Sequence, residues 1–197
     1  LTVPKSKKYV VETIEANSKD YIKVGIISDA QLPQEEKNLY GWDYATVMNG
    51  ADHLIKALKY YKSQNVDMIV FNGDMVNATG DYAAYSAYNK ILDYVYGEDR
   101  AEAPHIIYPM GNHEFYGGNQ EHNFYKSTGL PLNTRTIVNG YSFISISNSK
   151  LEKGDEELAE SNDTLADGTY NEKRIEFLKE QLAAANTEDP NKPIFVF

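Results

Sequence analysis

The sequence predicts an α/β fold in which mixed β-sheets are flanked by helices. Three apolar runs are short enough to be buried strands, and segments with helical periodicity separate them. Each run is followed at once by a polar cluster, and these clusters are residues 28–31, 72–77 and 111–114. Farther along, Asn139-Gly140 separates two further apolar segments, which is a strong signal for an antiparallel hairpin. Parallel and antiparallel pairs together indicate mixed sheets.

The first half of the chain alternates strand patterns with helix patterns. Strands are predicted at 22–28, 67–72 and 105–110. One helix is expected between each pair of successive strands, with Asp43 as the N-cap of the first helix and Asp81 as the N-cap of the second. The predicted buried face of the first helix is Val47, Ala51, Leu54, Ile55 and Leu58. The predicted buried face of the second helix is Tyr85, Tyr88, Leu92 and Val95.

The second half of the chain has a less regular pattern. Residues 116–134 are rich in loop signals. The segments 136–138 and 141–147 are predicted to form the two strands of the hairpin. A helix is then predicted at 171–185, and its buried face is Ile175, Leu178 and Leu182.

The domain organisation predicted is a lead-in at 1–21, with a strand around 9–11, followed by one domain at 22–197. The segment 192–197 is an apolar strand pattern, whereas chain ends usually lie at the surface. We therefore expect the domain to be incomplete at its C-terminal side and further residues to follow. If this strand is parallel to the others, Phe197 would lie at the same sheet edge as the polar clusters.

The amino-acid composition argues against several classes of function. The net charge is −10, and no stretch gathers the Lys and Arg expected of a nucleic-acid groove. The absence of cysteine excludes disulfides, thiolate metal sites and cysteine nucleophiles. No apolar run approaches the roughly 20 residues of a membrane span. The 16 tyrosines and frequent Asn favour a secreted or cell-surface bacterial protein over a cytoplasmic one.

The three polar clusters predict a common site. The carboxyl ends of parallel strands meet at one edge of a sheet, and ligands bind in the crevice outside that edge. Asp29, Asp74, Asn112 and His113 would then converge there. Two carboxylates, an amide oxygen and an imidazole suit divalent metal ions.

The order of these motifs resembles the calcineurin-like metallophosphoesterase family. The motifs are Asp29-x-Gln31, Gly73-Asp74-x-x-Asn77 and Gly111-Asn112-His113-Glu114. The resemblance covers about residues 22–197 and implies part of a four-layer αββα sandwich. It also implies a phosphatase or phosphodiesterase that cleaves phosphate mono- or diesters at a dinuclear metal centre with a bridging hydroxide.

The resemblance implies a role for each motif residue. Asp29 would bind the first metal ion, Asp74 would bridge both ions, and Asn112 would bind the second ion. His113 would contact the phosphate or protonate the leaving group, with Glu114 orienting it.

The sequence departs from the family pattern at two places. Gln31 stands where the family usually has His, which favours Mn, Mg or Ca over Zn or Fe. We expect two divalent ions, drawn from Mn, Mg, Fe, Zn and Ca, with Mn favoured; alternatively, Gln31 hydrogen-bonds only a metal-bound water. The family also places a ligand His just after a strand such as 194–197, and a later Gly-His-x-His. Without them we expect weak or no activity from the chain as it stands.

Other interpretations stay open. The alternative function is a non-catalytic metal- or ligand-binding module of a larger surface protein that retains the phosphoesterase fold. Asn77 and His122 are substrate-binding candidates, although Asn77 is also explained by shaping its loop. His53 is expected at the surface and His105 in a structural role. A His after Phe197 and a later Gly-His-x-His in the gene would favour the enzyme.

Overall fold

The computed structural model describes residues 8–32, 44–77, 82–115, 120–147 and 172–197. Within those ranges the chain forms seven strands and four α-helices. The strands are β1 (Tyr9–Ile14), β2 (Val24–Ile27), β3 (Met68–Phe71), β4 (His105–Ile107), β5 (Asn133–Val138), β6 (Tyr141–Ile146) and β7 (Ile194–Val196). The helices are α1 (Tyr44–Ser63), α2 (Tyr82–Tyr96), α3 (Gln120–Thr128) and α4 (Glu172–Glu188). The predicted caps Asp43 and Asp81 lie outside the described residues.

The first sheet is parallel throughout and has β3 between β2 and β4. Because side chains alternate along a strand, β3 supplies both faces of this sheet. Ile69 and Phe71 pack against helices, while Met68 and Val70 belong to the core on the opposite face. The helix residues of the first core include Leu54 and Leu58 of α1, Tyr85, Tyr88 and Leu92 of α2, and Phe124 of α3. The strand and helix assignments predicted for this half are confirmed.

The second sheet is mixed, in the order β1-β5-β6-β7. Its antiparallel pair is the predicted hairpin of β5 and β6, which turns at Asn139 (φ 49°) and Gly140 (φ 77°). Two successive residues with positive φ form the turn whose twist matches a two-residue hairpin. Each edge strand is parallel to its neighbour, β1 to β5 and β7 to β6.

The two sheets pack face to face between helical layers. Met68, Val70 and Ile107 of the first sheet share a buried core with Val138 and Phe143 of the second. On the outer face of β6, the side chains of Ile144 and Ile146 cluster with Phe177 of α4. The order is therefore helices, sheet, sheet, helix, which confirms the predicted α/β fold with its αββα layers.

Two details differ from the prediction. Helix α3 lies within the segment 116–134 that the sequence indicated as loop, because its buried residues include Glu121 and His122 and give no apolar periodicity. The fully buried residues of α4 are Arg174, Phe177 and Ala185. The predicted face, Ile175, Leu178 and Leu182, is only half-buried.

The N-terminal strand belongs to the second sheet. Tyr9 to Ile14 pair with β5 along the whole length of both strands. These residues fall in the predicted lead-in, and the domain boundary after residue 21 stays a prediction. In the part of the chain that the structure describes, every helix is too short or too polar to cross a bilayer.

Candidate metal centre

Backbone hydrogen bonds join the loops that follow β2 and β3. We call residues 28–32 the first loop, 72–77 the second loop and 108–114 the third loop. The Asp29 N–H donates to the Gly73 carbonyl at 3.2 Å, and the Gln31 N–H donates to the Asp74 carbonyl at 2.9 Å. A bridge between Leu32 and Val76 continues the pairing. The first two polar clusters therefore lie side by side at the carboxyl edge of the parallel sheet.

The third loop contacts the second loop closely. The His113 N–H donates to Oδ1 of Asp74 at 2.8 Å. A Cβ placed on Gly73 would lie 2.9 Å from the Cα of Gly111, and a Cβ on Gly111 would collide with the Asp74 carboxylate. Glycine at both positions is what allows the two backbones to touch.

Three of the four predicted metal ligands have left-handed backbones. The φ angles are 57° at Asp29, 44° at Gln31 and 54° at Asp74. L-residues rarely adopt this region, and such residues cluster at functional sites, where surrounding contacts hold them. Three of the six non-glycine residues with positive φ in the described ranges are therefore residues that the sequence assigned to metal binding.

The predicted ligands are open to solvent to different degrees. Asp29 and Asn112 are exposed, whereas Gln31, Asp74 and His113 are half-buried. The hydroxyl of Ser28 donates to Oδ2 of Asp29. A rim of this kind leaves carboxylate and amide oxygens accessible to an ion from solution.

The donor set fits a hard divalent cation. Two carboxylates and two amides supply only oxygen ligands, which Mn²⁺, Mg²⁺ and Ca²⁺ accept more readily than softer metals do. In the described ranges, no three His, Asp or Glu side chains form a group that could hold a metal ion. The two carboxylates of the predicted set therefore need amide, water or further protein ligands beside them.

Glu114 is fully buried behind this rim. Its Oε2 accepts hydrogen bonds from the N–H groups of Asp74 at 2.9 Å and Gly111 at 2.8 Å. Its Oε1 accepts from the N–H groups of Met75 at 2.8 Å and Val76 at 3.3 Å, and from the Tyr108 hydroxyl at 2.7 Å. Burial raises the pKa of the Glu114 carboxyl, and the hydrogen bonds from Tyr108, Asp74 and Gly111 act in the opposite direction.

The remaining predicted site residues lie at different depths. His113 begins a short 3-10 turn, His113–Phe115, at the rim. Asn77 is buried, and its N–H donates to the Leu32 carbonyl at 2.8 Å, as a loop-shaping residue would. His122 is buried in the first turn of α3. Substrate contact by Asn77 or His122 stays a prediction, as does orientation of His113 by Glu114.

Two histidines outside the site occupy the positions expected of them. His53 is exposed on α1. His105 begins β4, where its Nε2 lies 3.3 Å from the Glu12 carboxylate and 3.4 Å from the Thr136 hydroxyl. These contacts link the two sheets at His105.

Sequence reasoning missed a polar network beneath the third loop. The Ser147 hydroxyl accepts from the Met110 N–H at 3.0 Å and donates to the Leu132 carbonyl at 2.5 Å. Arg174 of α4 donates to the Ser147 carbonyl at 2.7 Å and pairs with the buried carboxylate of Glu121. No sequence signal distinguishes Ser147 or Tyr108 from ordinary strand residues, because their partners are distant in the chain.

The carboxyl end of β6 lies next to the third loop at this network. Ser147 follows β6 directly, and Met110 precedes Gly111 of the third loop. Because β7 is parallel to β6 and the Ile146 N–H donates to the Phe197 carbonyl at 3.0 Å, Phe197 lies beside the carboxyl end of β6, and its place at the metal-binding edge stays a prediction.

Comparison with known proteins gives one family and one fold. A family model described as calcineurin-like phosphoesterase matches residues 22–196. Eleven chains of solved structures match, among them the crystal structure of a dimetal phosphatase from Danio rerio. That protein is 18% identical, and the match covers 89% of this chain and 68% of that chain with a TM-score of 0.60. At this identity the likeness shows the fold alone. No curated protein matches the chain.

Proposed function

The chain belongs to the calcineurin-like phosphoesterase family, and we propose on that basis that the protein hydrolyses phosphate mono- or diesters with bound divalent metal ions. The observation that carries this proposal is the contact between the three loops. Hydrogen bonds link Asp29 to Gly73, Gln31 to Asp74, and His113 to the Asp74 carboxylate. These hydrogen bonds support the assignment of Asp29, Gln31, Asp74 and His113 to one site.

We assign the metal ligands as the motifs suggest. Asp29 would hold one ion, Asn112 would hold a second ion, and the carboxylate of Asp74 would serve both. Gln31 assists with its amide oxygen, which favours Mn²⁺ over softer ions. Such a pair of cations lowers the pKa of a bound water and offsets the negative charge of the phosphate.

His113 is the candidate proton donor. Its backbone N–H donates to the Asp74 carboxylate, and this hydrogen bond fixes the position of the His113 backbone at the rim. Imidazole exchanges protons near neutral pH, which suits hydrogen bonding to the phosphate or protonation of the leaving-group oxygen.

The test is hydrolysis of chromogenic phosphate mono- and diesters by the intact protein with Mn²⁺ added. Asp74→Asn keeps the side-chain shape and removes its charge, so we expect kcat/KM to fall by at least about 100-fold. The matched control is Asp52→Asn on the exposed face of α1, which should leave activity unchanged. Full activity of Asp74→Asn would show that the shared ligand is assigned wrongly.

The second candidate is a binding module that holds a metal ion or ligand without turnover. Gln31 in place of the usual His favours it, since an amide is the weaker metal ligand. Calorimetric titration with Mn²⁺ separates the two functions. Tight Mn²⁺ binding by an intact protein that hydrolyses neither ester class would support the module.

A further inference from the structure

We propose that Glu114 is a positioning residue, whose carboxylate sets the spacing of the metal-binding loops. This role rests on the proposed function, because it concerns the same metal centre. Glu114 oxygens accept hydrogen bonds from Asp74 and Gly111, which lie on the second and third loops. One buried group therefore sets the distance between the loop that carries Asp74 and the loop that carries Asn112.

The influence of Glu114 extends to the first loop. Met75 donates its N–H to Glu114 and accepts the Leu32 N–H on its carbonyl, at 2.8 Å in both cases. Asp74 likewise donates to Glu114 and accepts from Gln31 at 2.9 Å. A shift of the carboxylate would therefore displace the backbone that carries Gln31 as well as the backbone of Asp74.

The arrangement requires a carboxylate. Four backbone N–H groups and one hydroxyl donate to the two oxygens of Glu114. A glutamine of the same size has one acceptor oxygen and one NH₂ group, so it would present hydrogen atoms to at least two of these donors. Donors left unpaired inside the protein would force the loops apart.

Two tyrosines provide a matched pair of probes. Tyr108 and Tyr88 are 2% and 1% exposed, and their ring centroids are 5.5 Å apart. The Tyr108 hydroxyl donates to Glu114, whereas among the described residues nothing hydrogen-bonds to the Tyr88 hydroxyl. Replacing either one by Phe removes a single buried oxygen from the same aromatic cluster.

The experiment measures Mn²⁺ affinity of the intact protein by calorimetry, well below the unfolding temperature, together with kcat and KM for a chromogenic phosphate ester. We expect Glu114→Gln to weaken Mn²⁺ binding by about 10- to 100-fold, the range typical of groups that orient metal ligands. Tyr108→Phe should weaken binding several-fold, and Tyr88→Phe should leave it unchanged. Glu114→Gln and Tyr108→Phe should each lower kcat at saturating Mn²⁺ by a larger factor than they raise KM.

Wild-type Mn²⁺ affinity in a folded Glu114→Gln protein would overturn the positioning role, since a purely structural residue would lower only the unfolding temperature. If Glu114→Gln does not fold, the two tyrosine variants provide the test. Equal Mn²⁺ affinity of Tyr108→Phe and Tyr88→Phe would overturn the positioning role. A loss of Mn²⁺ affinity in Tyr108→Phe alone would support it. A wild-type protein that binds Mn²⁺ but cleaves no ester would refute the proposed function and leave this role standing. A wild-type protein that binds no Mn²⁺ would refute both.

Discussion

At the scale of single residues, Asp74 shows how one position can organise a site. Its N–H is bound by Glu114, its carbonyl accepts from Gln31, and its carboxylate accepts from the His113 N–H. These contacts hold its backbone at a φ of 54°, which an unconstrained residue would seldom adopt. Three contacts from the other two loops therefore hold Asp74 in this strained conformation.

Gln31 gives a test of whether strain is retained for function. Its φ of 44° is unfavourable for a side chain of this type, at a cost of about 1–2 kcal/mol. Gln31→Gly relieves that cost and adds about 0.5–1 kcal/mol of chain entropy to the unfolded state. We expect the metal-free variant to be as stable as the wild type or more stable by up to about 1.5 kcal/mol.

The same variant should lose part of its metal-induced stabilisation, because the amide oxygen is gone. Thermal unfolding with and without Mn²⁺ measures both effects. Gln31→Asn, which keeps an amide and tolerates positive φ, is the matched control. A clear destabilisation of metal-free Gln31→Gly, or an undiminished response to Mn²⁺, would contradict this explanation.

At the scale of secondary-structure elements, the sequence predicts an element well when apolar side chains form its buried face. Strand β3 and helix α2 are of this kind, and both were predicted closely. Helix α3 was not predicted, because Glu121 and His122 are buried where apolar residues would normally give the signal. The motif predicted a role for Glu114, but four of its five hydrogen-bond donors are backbone N–H groups, which nearly every residue carries and no sequence pattern reveals.

Helix α4 should depend strongly on one buried ion pair. Arg174 and Glu121 are each only 3% exposed at the contact between α4 and α3. Glu121→Gln would remove the buried negative charge that pairs with the Arg174 guanidinium, at a cost of about 3–5 kcal/mol. Urea unfolding should show this loss.

Glu172→Gln, on an exposed residue of the same helix, should change the free energy of unfolding by less than about 0.5 kcal/mol. Equal losses in the two variants would contradict the assigned importance of the pair.

At the scale of the whole molecule, the layered fold follows from which faces are apolar. Both faces of β3 and both faces of β6 are buried, so two sheets must pack together between helices. The sequence predicted this arrangement mainly through its motifs, since the pairing of β1 with β5 joins segments more than a hundred residues apart. Local periodicity carries no information on such pairings.

The buried tyrosines should make the fold sensitive to alkali. Burial raises the pKa of Tyr96 to about 12, and it also raises the pKa of Tyr88 and of Tyr108. The folded state therefore keeps protons that the unfolded state loses near pH 10, so this stability is complete below about pH 10 and is lost as pH rises through about 12. For Tyr96 alone the loss at about pH 12 is about 2 kcal/mol.

Urea unfolding at a series of alkaline pH values measures this loss, with tyrosinate absorbance recorded in parallel. Tyr96→Phe should show a smaller decline in the free energy of unfolding above about pH 10. A free energy of unfolding that stays constant over this range would contradict the burial of these phenols.

The most direct test of the metal centre is a crystal structure of the intact protein grown with Mn²⁺, with anomalous scattering used to locate the ions. We predict two peaks about 3.5–4 Å apart, with Asp74 in contact with both and with Asp29 and Asn112 on either side. Mn²⁺ bound only elsewhere on the molecule, with none at these three loops, would contradict the account.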